Sequence, residues 1–93
     1  MNQIVEQYWP RALKIVREYE TGDVNFADLT GLGEEFAASF IEQLNTLPEP
    51  QRAAQCAGLE AKLTEAIHAN GEESNTGQAL SELLVSINRT PIY

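Results

Sequence analysis

Apolar residues recur every three or four positions through most of this chain, and no stretch alternates with period two for long enough to make a strand. Spacings of three and four return side chains to one face of a helix. The expectation is therefore an all-α fold, a compact four-helix domain with helices over about residues 3–20, 25–46, 50–70 and 76–88 and a tail over 89–93. Ninety-three residues suit a single domain. Short connections between neighbours make an antiparallel arrangement natural.

In the first segment Ile4, Tyr8, Ala12, Ile15 and Tyr19 share a face, and Val5, Trp9, Leu13 and Val16 widen it. Pro10 removes one backbone bond and clashes with the carbonyl four residues earlier, so this helix is expected to be kinked or restarted at Pro10. Gly22 suits a left-handed cap after it. The second segment opens on Asn25, a good N-cap, with Asp28 three residues on. Its seam is Phe26, Leu29, Gly33, Phe36, Phe40, Leu44 and Leu47. Gly31 and Gly33 each cost about 1 kcal/mol relative to alanine, so the spacing also allows a break there, with a longer piece from Glu34.

Pro48-Glu49-Pro50 ends the second helix and opens the third, where Cys56, Leu59, Leu63, Ala66 and Ile67 form the apolar face. Ala53, Ala57 and Gly58 would allow a neighbour to approach closely. Asn70 to Asn75 reads as a loop. The fourth helix is expected to bury Leu80, Leu83, Leu84 and Ile87, and Pro91 prevents its continuation.

Charge then narrows the function. The chain carries 14 Asp and Glu against 6 Lys and Arg, a net charge of −8. Such a field repels nucleic acid and anionic membrane surfaces, so neither is an expected partner. Between Glu18 and Gln51 stand Glu18, Glu20, Asp23, Asp28, Glu34, Glu35, Glu42 and Glu49, with no Lys or Arg. The rest of the chain balances. At 100° per residue Asp28, Glu35 and Glu42 fall at about 200°, 180° and 160° from Phe26, opposite the apolar seam. If the helix breaks at Gly31, Asp28 leaves that line. Arg11, Lys14 and Arg17 can meet some of these acids within the fold, and a surplus of carboxylates remains.

Catalytic constellations fail on inventory. The one histidine, His68, and the one cysteine, Cys56, lie three turns apart on one predicted helix, beyond contact. Glu65-Ala66-Ile67-His68 has the Glu-x-x-His step of carboxylate metal sites, but a second copy is lacking. Gly31-Leu32-Gly33 has no preceding strand and no lysine, so it is no phosphate loop. No enzyme, cofactor or metal is expected. A lone cysteine and a charge-broken first segment fit the reducing cytoplasm.

The expectation that follows is a small acidic binding protein that occludes a basic surface on a partner protein. Its most specific form is a bacterial immunity protein or antitoxin that neutralises a nuclease-type toxin. A phage-type inhibitor that mimics DNA is a variant of it. The alternative is a structural subunit or secretion chaperone that forms a homo-oligomer through its helices. The expected partner-binding residues are Asp23, Asp28, Glu34, Glu35, Glu42 and Glu49, because paired carboxylates accept bidentate arginine contacts and speed association with cationic surfaces.

Overall fold

In the computed structural model, which describes residues 3–90, the chain forms α1 (Gln3–Glu20), α2 (Phe26–Leu44), α3 (Glu49–Asn70) and α4 (Asn75–Arg89). There is no strand among the described residues. Every pair of helices touches, most extensively α2 with α4 and α3 with α4. One hydrophobic cluster draws on all four. Of the expected tail, Arg89 belongs to α4 and Thr90 caps it, while Pro91, Ile92 and Tyr93 lie outside the described residues.

The restart expected at Pro10 does not occur: α1 runs through it as one helix. The bond that Pro10 cannot make would have gone to the Glu6 carbonyl in the first turn. Glu6 is exposed, so water can serve that carbonyl instead. The deepest residues of α1 are Val5, Tyr8, Ala12 and Val16, with Ile4, Trp9, Ile15 and Tyr19 half-buried beside them. Leu13, expected on the apolar stripe, is 40% exposed. It sits where α1 and α3 stand apart over an open groove.

Asn25 caps α2 as expected, its Oδ1 accepting from the Asp28 backbone N–H at 2.8 Å. The helix is unbroken through both glycines. Packing explains why. Gly33 is buried against α4, where a Cβ would stand 2.9 Å from Ser86 Oγ. Its bare backbone lets the two helices close, and that contact outweighs the propensity loss. Leu29, Phe36, Phe40 and Leu44 are buried as the seam requires, but Phe26 is 54% exposed. Phe26 and Leu44 share one helical angle. What differs is height: Phe26 is the first residue of α2 and lies beyond the end of the core. Leu47 falls after the helix, which ends at Leu44 rather than near 46, and is half-buried in the following turn.

Tyr8 ties α1 to α2. Its ring meets Phe36 and Phe40 edge-on at centroid distances of 5.8 and 5.5 Å. Its hydroxyl donates to the Ser39 carbonyl at 3.1 Å and pairs with Ser39 Oγ at 2.8 Å. On α3 the buried set is Gln55, Cys56, Leu59, Leu63 and Ile67. Ala66 and Gly58 are half-buried, whereas Ala53 and Ala57, also expected to admit a close neighbour, are exposed. The loop before α4 is shorter than expected. Gly71 takes φ 86° to end α3, and Ser74 already caps α4, its Oγ accepting from the Gly77 N–H at 2.9 Å. Leu84 is half-buried, while Ala79, Leu80, Leu83 and Ile87 are buried.

Candidate functional site

Because α2 does not break, Asp28, Glu35 and Glu42 keep one register, and all three are exposed. They span about 21 Å at 1.5 Å rise per residue. The buried residues of α2 lie on the opposite side, so the carboxylates stand clear of the core. The other three expected site residues do not join this line. Glu34 is exposed but lies about 100° around the helix from Glu35. Asp23 sits in the turn before α2, accepting from Thr21 Oγ1 at 3.0 Å. Glu49 is the first residue of α3, beyond the other end of α2.

Tertiary packing adds a fourth acid. The α1–α2 junction forms a trough of two adjoining depressions of about 250 and 410 Å³, which share Glu18, Leu32 and Glu35. One end is lined by Arg11 and Lys14 of α1. The other holds Glu18, Asp28 and Glu35 around a floor of Val24, Ala27, Gly31 and Leu32, with no Lys or Arg in its wall. The trough is therefore polarised along its length. Arg11 is held at the basic end, its guanidinium 4.6 Å from the Tyr8 ring centroid and its Nη1 donating to Ser39 Oγ at 3.5 Å. Glu18 belongs to the acid-only segment, but its place beside Asp28 depends on how α1 crosses α2. No spacing within one helix carries that information.

A cation with an aliphatic stem fits the acidic end chemically. Its stem can lie on Leu32 and Val24 while its head meets carboxylates on either side. A second groove, between α1 and α3, is lined by Trp9, Leu13, Ala66 and Ala69, with Lys62 and Glu65 at its rim. Lys62 Nζ stands 5.2 Å from the Trp9 ring centroid.

Cys56 and His68 are not brought together: Cys56 is buried, and His68 is exposed near the end of α3. Burial, followed by the charge of Glu60 and a 3.6 Å hydrogen bond to Glu60 Oε1, pushes the Cys56 thiol up to about 11. Relative to a thiol at 9.0, it should react with a thiolate-specific reagent near pH 8 about 100-fold more slowly. Comparing folded and urea-denatured chain checks this, and equal rates would contradict it. The same shift favours folding while the thiol is neutral, a contribution lost as pH rises from about 9 towards 11.

Among the described residues no group of three or more His, Cys, Asp or Glu side chains is placed to hold a metal ion. No described helix is long and apolar enough to cross a membrane. Comparison with protein-family models finds no match, and comparisons with curated proteins and with solved structures find none either.

Proposed function

We propose that this chain is a small binding protein of the cytoplasm that covers a basic surface on a partner protein. Its most specific form is a bacterial immunity protein or antitoxin directed against a nuclease-type toxin. The observation that carries this reading is the unbroken α2, which holds Asp28, Glu35 and Glu42 in line on its solvent face, with Glu18 added from α1. Like charges held this close gain nothing for the isolated chain. They are complementary to the cationic surfaces with which nucleases hold phosphates. Binding there would be stoichiometric occlusion rather than catalysis.

Binding to a partner captured by the immobilised chain should weaken steeply as salt is added. The double substitution Glu35→Lys with Glu42→Lys should lower affinity by about tenfold or more. Thermal stability should stay level or rise, because both side chains are exposed. In the immunity form, the captured partner cleaves nucleic acid and the wild-type chain stops it at one-to-one ratio. Unchanged affinity in the double variant would leave the stripe as a solubilising surface.

A second reading, an assembly subunit, draws on the α1–α3 groove, where Leu13 is exposed beside Trp9. Sedimentation of the free chain separates the two: a monomer fits the first reading, a homo-oligomer the second.

A further inference from the structure

Asn70-Gly71 is the one place in the chain where an asparagine precedes a glycine. With no Cβ on the following residue, the backbone nitrogen has free access to the asparagine side-chain carbonyl. In that reaction Gly71 N gives its proton to solvent base and bonds to Asn70 Cγ. The Cγ–Nδ2 bond breaks, and the leaving nitrogen takes a proton from solvent and departs as ammonia. Water then opens the succinimide ring at either carbonyl, leaving an aspartyl or an isoaspartyl residue. Water is the only co-reactant, and nothing is oxidised or reduced.

Both residues are exposed, yet the fold engages both reacting nitrogens elsewhere. The Gly71 N–H donates to the Ile67 carbonyl at 2.8 Å, closing the last turn of α3. Asn70 Nδ2 donates to the Ala66 carbonyl at 2.8 Å. The Gly71 carbonyl is held in turn by the Ser74 N–H at 3.2 Å and Ser74 Oγ at 2.8 Å. It packs so closely on Gly77 that a Cβ there would collide with it.

We propose that Asn70 is a latent self-modification site, closed by the α3–α4 turn and reactive only when the last turn of α3 opens. Both products weaken that turn. Either form loses the Nδ2 donor to the Ala66 carbonyl and adds a negative charge at the negative end of the α3 dipole. The isoaspartyl form also lengthens the backbone before Gly71 and carries its carbonyl away from Ser74 and Gly77. Each molecule that takes the isoaspartyl form therefore carries an altered turn, whereas the aspartyl form keeps the Gly71 N–H that closes it. None of this depends on the acidic face of α2.

The test follows deamidation of the full chain by peptide mass mapping in warm, mildly alkaline, ammonia-free buffer, with and without urea. Asn70 should react at least about tenfold more slowly in the folded chain than in urea. In urea it should outpace Asn25, Asn45 and Asn75, which lack a following glycine. Ser74→Ala removes the side-chain bond to Gly71 and should speed Asn70 about fivefold in the folded state. Asn25→Ala removes a comparable cap at α2, away from the turn, and should leave the Asn70 rate unchanged. Equal rates in folded and denatured chain would overturn the proposal. So would equal acceleration by Ser74→Ala and Asn25→Ala, which would place the gate at global unfolding.

Discussion

Gly77→Ala should lower the melting temperature by about 8–16 °C, whereas Gly31→Ala should raise it by about 4–8 °C. Both glycines lie inside helices, and alanine gains each helix about 1 kcal/mol of propensity. At Gly31 a Cβ meets nothing within 4 Å, so the gain stands alone. At Gly77 the Cβ would collide with the Gly71 carbonyl oxygen and stand 2.9 Å from its carbonyl carbon and 3.1 Å from Glu72 Cα. Those are backbone atoms, fixed by the cap of α4, and no rotamer change relieves them. Overpacking against backbone costs about 3 kcal/mol, so about 2 kcal/mol of net loss remains after the propensity gain. For a domain of this length each kcal/mol moves the midpoint by about 4–8 °C. Thermal unfolding followed by far-ultraviolet circular dichroism reads both variants. A Gly77→Ala protein as stable as the parent would mean that α4 does not start where Ser74 caps it.

Phe40→Ala should cost about 3–5 kcal/mol, while Phe26→Ala should stay within about 0.5 kcal/mol. Phe40 has no exposed surface, and its ring meets Tyr8 edge-on at 5.5 Å. Truncation leaves a void between α1 and α2 and removes the surface that orients the Tyr8 ring. A chain of this length has about 5–14 kcal/mol in total, so the loss is a large share of it. Phe26 is 54% exposed and closes no cavity. Urea titration of the two variants measures the difference. Equal losses would place both rings in the core and contradict the position of the α2 N-terminus.

These pairs show which parts of the fold were legible beforehand. Helix number and order followed from local signals: apolar spacing, the Asn25 cap, Gly22 in the left-handed region at φ 84°, and the Pro48-Glu49-Pro50 break. All of these act within a few residues, so a linear reading can find them. Local signals misjudged Phe26 and Leu13, because angle on a helix says nothing of whether a neighbour reaches that height. They left open whether α2 breaks, because the contact that stabilises Gly33 comes from Ser86, far along the chain. Composition places Ser74 in a loop, because its role as cap depends on the turn formed by Gly71.

The acidic face divides the same way. Composition along the chain confines the net charge of −8 to Glu18–Gln51. Helical pitch aligns Asp28, Glu35 and Glu42 if one helix carries them, and both properties belong to the linear chain. That the helix is whole, and that Glu18 lines the same depression as Asp28 and Glu35, follows from packing. Packing also places Arg11 and Lys14 at one end of the trough, leaving the other to carboxylates. Those facts depend on the packing of α2 against α1 and α4. Packing is set by contacts between residues distant in sequence, which no local pattern encodes.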